Sequence, residues 1–353
     1  MAKLEYALFV LGLLVFSVGC SSKKNAQPLS ETPLKFFGPR IYVTNEASGD
    51  MSVIDAGTST VIETVPLGKR PRGIHVSPDH KTLYVALSGT PIAGPDVDES
   101  TLPPSDKTAD GIGIFDVQQN KIIRTIHGGS DPENFDISKD GKQLYISNED
   151  ISAVSIVDIA SGTVVKTLKV GAQPEGIQVT PDGKLVYVTS EEEGAIYVLD
   201  PEAGKMTATF KTGHRPRNVA FMPNGLHAYV NAENDGDVVI IDTVKHKVVG
   251  TIPIGKPGII KPMDVLLSSD AKRLYVSTGR GHQVFTIDTA TNKVVGAVAV
   301  GQRPWGIALS PDAKSLYSAN GPSNDVSVVD LGTNTVTRKI KAGMGPWGIL
   351  VLE

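Results

Sequence analysis

The stretch that decides the fold is GQRPWGIALSPDAKSLYSANGPSNDVSVVDLGTNTVTRKIKA, residues 301–342. It holds Pro-x-Gly-Ile, then Ser-Pro-Asp-x-Lys, then Leu-Tyr, then Val-x-Val-x-Asp, then a β-branched run. Alternating β-branched residues between Gly, Pro and Asp turns are strand signals, so the stretch reads as four short strands. It recurs along the chain. Tyr42, Tyr84, Tyr145, Tyr187, Tyr229, Tyr275 and Tyr317 keep one beat, and Asp55, Asp116, Asp158, Asp200, Asp242, Asp288 and Asp330 keep the same one. The tyrosines advance by 42, 61, 42, 42, 46 and 42 residues, and the aspartates by 61, 42, 42, 42, 46 and 42. The unit is therefore 42 residues, with one insertion of 19 and one of 4. A β-rich repeat of that length predicts a propeller. The fold class is all-β: a seven-bladed propeller of four-stranded blades.

The two ends predict how the ring closes. The first copy begins on a second strand, at Arg40-Ile41-Tyr42, and the chain ends on Pro346-Trp347-Gly348-Ile349-Leu350-Val351, a first strand with no blade behind it. Joined, they complete the seventh four-stranded sheet and leave only short, protected edges. Loops between strands two and three then share one face, the upper face, with the loops leading into each first strand. Both insertions fall there: 19 residues within 87–111 and 4 within 255–262. Long loops on a rigid scaffold carry function, so the upper face is the candidate site.

The 353 residues carry a net charge of −4, which gives no global nucleic-acid footprint. The single cysteine, Cys20, excludes an internal disulfide and a c-type haem attachment. Residues 7–16, ALFVLGLLVF, are too few to span a bilayer as a helix and read as an export signal. The following Ser17-Val18-Gly19-Cys20 resembles a bacterial lipobox. That resemblance implies a signal peptide over 1–19, a lipid on Cys20 and a tether over 20–38, ahead of the propeller that the repeats place over 39–353. With Ser21 and Ser22 next, the expected home is the periplasm or cell surface, anchored to the outer membrane.

The residue after each repeat proline is expected at the mouth of the central channel: Arg72, Glu133, Glu175, Arg217, Met263, Trp305 and Trp347. Four residues after the proline stand His75, Asp136, Gln178, Ala220, Leu266, Ala308 and Leu350, with apolar core positions between. Arg70, Arg215 and Arg303 flank the mouth. One reading is a recognition surface, with Trp for stacking and Arg for anion or cation–π contacts. The other is a plugged channel whose charges satisfy one another. The candidate ligand- or partner-binding residues are Arg72, Glu133, Glu175, Arg217, Arg303, Trp305, Trp347, His75 and Asp136. Two pairs, Glu133 with Glu175 and His75 with Asp136, offer acid–base chemistry if their groups approach. No catalytic residue is assigned. No cofactor is implied, and no metal either, because His127, His214 and His282 lie in loops of different blades. The seven periodic aspartates read as caps of the lower turns, and Asn45, Asn148 and Asn320 as turn residues. The acidic, Pro-rich insertion reads as a surface loop or as a lid, without EF-hand spacing.

The segments IYVTN (41–45), SVID (52–55), RPRGI (70–74) and VSPD (76–79) resemble the YVTN-type seven-bladed propeller family, over residues 39–353. PRGIHVSPDHKTLYVA, ISNEDISAVSIVDI, GQRPWGIALSPD and ANGPSNDVSVVD are similar to a periplasmic branch found beside quinone-dependent alcohol oxidation. The resemblance implies the fold but no single activity, since similar propellers include surface-layer proteins, a YncE-like protein associated with single-stranded DNA, lactonases and haem d1 domains. The expected function is a lipid-anchored, non-catalytic scaffold in the cell envelope. It recognises a protein or small ligand at the channel mouth. The alternative is a propeller enzyme, lactonase-like or an accessory to quinone-dependent oxidation. A third reading is single-stranded DNA binding on the two Trp, which the charge makes the weakest. Oligomeric state is not legible.

Overall fold

The structure, a computed structural model, describes residues 38–93 and 101–353. The signal segment, Cys20 and all but the last residue of the tether lie outside the described residues, as do Pro95, Asp96, Asp98 and Glu99 of the insertion. Among the described residues no helix is long and apolar enough to cross a membrane.

Seven four-stranded antiparallel sheets surround a central channel, and in six of them the strands run in sequence order from the inside outwards. The innermost strands are Ile74–Val76, Pro132–Ile137, Pro174–Val179, Pro216–Phe221, Pro262–Leu267 and Pro304–Leu309 in blades 2 to 7. Blade 1 closes the ring as expected. Its innermost strand is the C-terminal Pro346–Leu352, pairing with Arg40–Asn45 in the register Tyr42 to Leu350 and Val43 to Ile349.

The periodic residues hold the blades together. All seven repeat tyrosines are buried, each in the seam between its own blade and the next. Tyr42 packs with Leu83, Val85 and Phe115 of blade 2, and Tyr84 with Phe135 and Leu144 of blade 3. Tyr229 also reaches across, its hydroxyl donating to Asn292 Oδ1 at 3.0 Å. Every periodic aspartate caps the turn between strands three and four. Its Oδ1 accepts the backbone N–H three residues on, as Asp55 does from Thr58, Asp158 from Ser161 and Asp330 from Thr333 at 2.6–2.8 Å. Their repetition is architecture, as read. Asn45, Asn148 and Asn320 brace the hairpin between strands two and three, each amide donating to a serine of strand three.

Candidate functional site: the upper mouth of the channel

A cavity of about 830 Å³ opens on the upper face. Three repeat positions build its wall, and each is aimed by the local backbone. The first is the residue after the proline. Its carbonyl is held by a side chain of the preceding blade: Thr44 Oγ1 donates to Arg72 O (2.7 Å), Ser147 to Glu175 O (2.8 Å), Thr189 to Arg217 O (2.8 Å) and Ser277 to Trp305 O (2.6 Å). The second is the residue before the proline. Arg70, Asp131, Gln173, Arg215 and Arg303 all have φ between +46° and +55°. Non-glycine residues in that region carry strain of about 1–2 kcal/mol, which the packed ring sustains five times over at the mouth. The third is the residue after strand two. It is Glu46, Glu149, Glu191 and Glu233 in blades 1, 3, 4 and 5, and Gly279 and Gly321 in blades 6 and 7.

The wall divides into two arcs. On blades 2 to 5 it is ionic. Arg72, 1% exposed, donates to Glu133 (2.8 Å), Asp131 (2.9 Å) and Pro132 O (2.9 Å). Arg217 pairs with Glu175, with Glu233 (2.5 Å) and Glu191 (3.0 Å), and stands 3.8 Å from Glu133. Arg215 pairs with Glu191 and Lys261 with Glu233, while Arg70 pairs with Glu46. The insertion forms part of this wall through Thr90–Ala93, Leu102, Pro103 and Ser105. It is clamped by Asp110, which accepts from the N–H groups of Gly89 and Asp131, and by Lys107 on Asp150.

On blades 7 and 1 the wall is aromatic. Trp305 and Trp347 stack with centroids 5.6 Å apart and planes 24° apart. The Arg303 guanidinium lies 4.8 Å from the Trp305 ring centroid and that of Arg217 at 5.4 Å, within cation–π range. Glycine makes this shelf possible: a Cβ at Gly321 would stand 3.2 Å from Trp305 Nε1, and one at Gly279 would stand 3.0 Å from Met263. Arg303 differs from the other mouth arginines. Among the described residues its guanidinium has no carboxylate or carbonyl partner. Burial and the nearby Arg217 lower its pKa.

Several carboxyl groups are pushed apart by this setting. Burial opposes ionisation of Glu133, yet Arg72, the hydrogen-bonded Glu149 carboxyl and Arg217 hold it down to about 2. Glu149 goes the other way: burial and the Glu133 charge raise it well above the carboxylate range. Burial pushes Glu191 up to about 7 against Arg215, with the Glu133 and Glu233 charges adding. Environments that separate paired carboxyls in this way are how one site holds both an acid and a base.

The expected site residues are therefore placed unequally. Arg72, Glu133, Arg217, Arg303, Trp305 and Trp347 line the cavity together. Glu175 sits lower, beneath Arg217, lining a small chamber under the mouth. The proposed Glu133–Glu175 acid–base pair is not formed, because each carboxylate is taken up by an arginine; Glu133 meets Glu149 instead. Nor do His75 and Asp136 pair. His75 Nε2 bonds Asn134 Oδ1 (3.1 Å), and Asp136 accepts from Gln178 Nε2 (2.6 Å) and the Val179 N–H (2.7 Å). Both are braces between inner strands, below the mouth. Glu46, Glu149, Glu191 and Glu233 were missed, because a charged residue after strand two looks like a turn residue; the 42-residue steps from 149 to 191 to 233 were the available signal. Among the described residues no group of three or more His, Cys, Asp or Glu is placed to hold a metal ion.

Comparison with known proteins agrees with this architecture. A family model for the seven-bladed β-propeller lactonases matches residues 171–342, and one for YNCE-like β-propellers matches residues 96–183. Both describe propellers. No curated protein matches the sequence. Among solved structures the chain is similar to the periplasmic gluconolactonase PpgL of Pseudomonas aeruginosa, at 18% identity and TM-score 0.72, over 89% of this chain and 99% of that one. A putative 6-phosphogluconolactonase of Bacteroides uniformis matches at 19% and 0.71 over the same shares. Hydrazine synthase of Kuenenia stuttgartiensis matches at 22% and 0.69, over 82% of this chain and 91% of that one. At these identities the likeness is one of fold.

Proposed function

We propose that the chain is a hydrolase that opens a small anionic lactone in the upper cavity, rather than a purely non-catalytic scaffold. The observation that carries this reading is the company Glu149 and Glu191 keep. Two carboxyls with raised pKa line the same cavity as a stacked indole shelf and an arginine that has no ionic partner among the described residues. The match of the lactonase family model over blades 4 to 7 supports it. In this mechanism the ring of the substrate lies against the Trp shelf and its anionic group meets Arg303. Glu191, near half-ionised at neutral pH, takes a proton from water as the water oxygen attacks the carbonyl carbon. The acyl–oxygen bond of the ring breaks, and neutral Glu149 gives its proton to the departing ring oxygen. Lactone and water thus become a hydroxy acid, and solvent restores the two carboxyls. General acid–base catalysis of this kind contributes roughly 10²–10⁴-fold.

The pH–rate profile tests the assignment of the base. A group with its pKa near 7 that must be ionised makes kcat rise through about pH 7, and Glu191→Gln removes that limb. A profile flat from pH 5 to 8 refutes Glu191 as the base. We place the protein outside the cytoplasm, tethered by a lipid on Cys20; a Cys20→Ala chain that stays in the membrane fraction refutes the anchor.

Binding of a protein partner is the second reading, and one observation favours it. Ile92, Ile151, Ile259 and Met344 are 42–59% exposed on the upper loops, more apolar surface around the mouth than a small ligand needs. Envelope proteins captured by the wild type and lost with Trp305→Ala and Trp347→Ala support it; unchanged capture counts against it.

A further inference from the structure

Beneath the indole shelf lies a second, smaller chamber of about 30 Å³, lined among others by Asn134, Glu175, Asn218 and Asp264. That volume holds one occupant the size of a water molecule. Its walls come from six blades, and three of its polar side chains are joined by hydrogen bonds: Asn134 Nδ2 reaches Asn218 Oδ1 at 3.4 Å, and Asn218 Nδ2 donates to Asp264 Oδ1 at 3.0 Å. The position that supplies Asn134, Asn218 and Asp264 is glycine in the other four blades, at Gly73, Gly176, Gly306 and Gly348. A Cβ there would collide with neighbouring backbone or side chain within 3.0 Å. The ring thus admits polar side chains at this level in three places, and all three line the chamber.

Two carboxylates face it without full partners. Glu175 is 5% exposed; Arg217 takes one of its oxygens, and the other, Oε2, is buried with no hydrogen-bond partner. Asp264 accepts three neutral N–H bonds, from Asn218, Val265 (2.8 Å) and Ile307 (3.1 Å). Among the described residues no Lys, Arg or His lies within ion-pair distance of it. Arg217, the one cation in the chamber wall, is already shared among Glu133, Glu175, Glu191 and Glu233. A buried carboxylate oxygen without a donor is costly, and the surplus negative charge at this level is one, on Asp264.

We propose that the chamber is a monovalent-cation site. Its ligands are Glu175 Oε2, the Asp264 carboxylate and the Asn218 amide oxygen, whose one contact, from Asn134 Nδ2, is long at 3.4 Å. An all-oxygen donor set suits a hard cation and disfavours transition metals. The single uncompensated charge matches sodium rather than a divalent ion. Seated there, the ion ties blades 4, 5 and 6 together directly below the Trp shelf and leaves the upper cavity free. This site does not depend on the lactonase reading.

The test is thermal unfolding of the whole exported chain in sodium chloride against choline chloride at equal ionic strength, with sodium-23 linewidths as a direct measure of binding. A saturable rise in Tm with sodium is expected. At ten times its Kd, sodium shifts the folding equilibrium roughly elevenfold. Asp264→Asn is expected to abolish the sodium dependence and the line broadening, and Glu175→Gln to weaken both, whatever each does to the baseline Tm. Equal Tm in sodium and choline, with unbroadened sodium resonances, overturns the proposal. Stabilisation by micromolar calcium in choline, with no response to sodium, overturns the monovalent assignment in favour of a divalent ion.

Discussion

Two arginines of the mouth, Arg72 and Arg303, give opposite predictions when replaced by methionine. Arg72 is buried and is the main cation holding Glu133 ionised at about 2. Relative to an ordinary glutamate near 4.3, a shift of that size corresponds to about 3 kcal/mol of native-state stability. Breaking a buried pair from one side costs about 3–5 kcal/mol, so Arg72→Met is expected to lose at least 3 kcal/mol at pH 7.5. The sign with pH follows from the direction of the shift. Glu133 is depressed in the folded state, so its contribution is fully present above about pH 4.3 and fades as pH falls towards about 2. The deficit of the variant should therefore shrink in acid. Among the described residues Arg303 has no ionic partner to lose, only its stack on Trp305. Arg303→Met is expected to cost no more than about 1 kcal/mol of stability. It should instead weaken binding of an anionic ligand by about 1.5–3 kcal/mol, roughly ten- to 150-fold. Urea unfolding at pH 7.5 and pH 3, with product-carboxylate binding by calorimetry, measures both. A deficit for Arg72→Met below 1 kcal/mol or independent of pH refutes the account of the ionic arc. Unchanged anion affinity in Arg303→Met refutes the account of the aromatic arc.

The chain has two tryptophans and both are in the shelf, so intrinsic tryptophan fluorescence reports directly on ligand seating; Trp347→Ala is expected to raise the ligand Kd by roughly five- to 150-fold, from the 1–3 kcal/mol typical of a lost stacking contact. Gly321→Val crowds the Trp305 indole, given a Cβ only 3.2 Å from Nε1; it should shift the emission spectrum and raise KM while leaving Tm within a few degrees. Thr44→Val removes the hydroxyl that bonds Arg72 O and accepts from the Gly348 N–H at 2.8 Å; unfolding should show a loss of about 1–3 kcal/mol.

The sequence made the ring legible because every periodic residue has a blade's work to do. Tyr42 through Tyr317 glue adjacent sheets, Asp55 through Asp330 cap lower turns, and the closing partnership of Arg40 with the C-terminal strand follows from which strand each end supplies. The mouth was legible in part for the same reason: the proline fixes where the next side chain points, so Arg72, Glu133, Arg217, Trp305 and Trp347 were placed by counting. What counting does not give is pairing. The charges of one arc pair off as a plug would, and the other arc is a tryptophan stack beside an arginine without an ionic partner among the described residues. Arg72, Glu133, Glu175 and Arg217 largely satisfy one another, while Trp305, Trp347 and Arg303 stay open to a ligand. The raised pKa of Glu149 and of Glu191 is not legible in the sequence because it depends on burial and on the charges across the channel, neither of which a spacing encodes. His75 and Asp136 were drawn into the site by proximity in the repeat, but the inner strands turn them towards neighbouring blades.

The measurement that bears most directly on the central claim is the rate of lactone opening, followed by proton release, for the wild type and Glu149→Gln across carboxylated, phosphorylated and neutral sugar lactones. The account predicts turnover by the wild type with a preference for the anionic rings. In Glu149→Gln, kcat falls by roughly 10²–10⁴-fold with little change in KM. No acceleration by the wild type on any lactone, or equal rates in the variant, contradicts it.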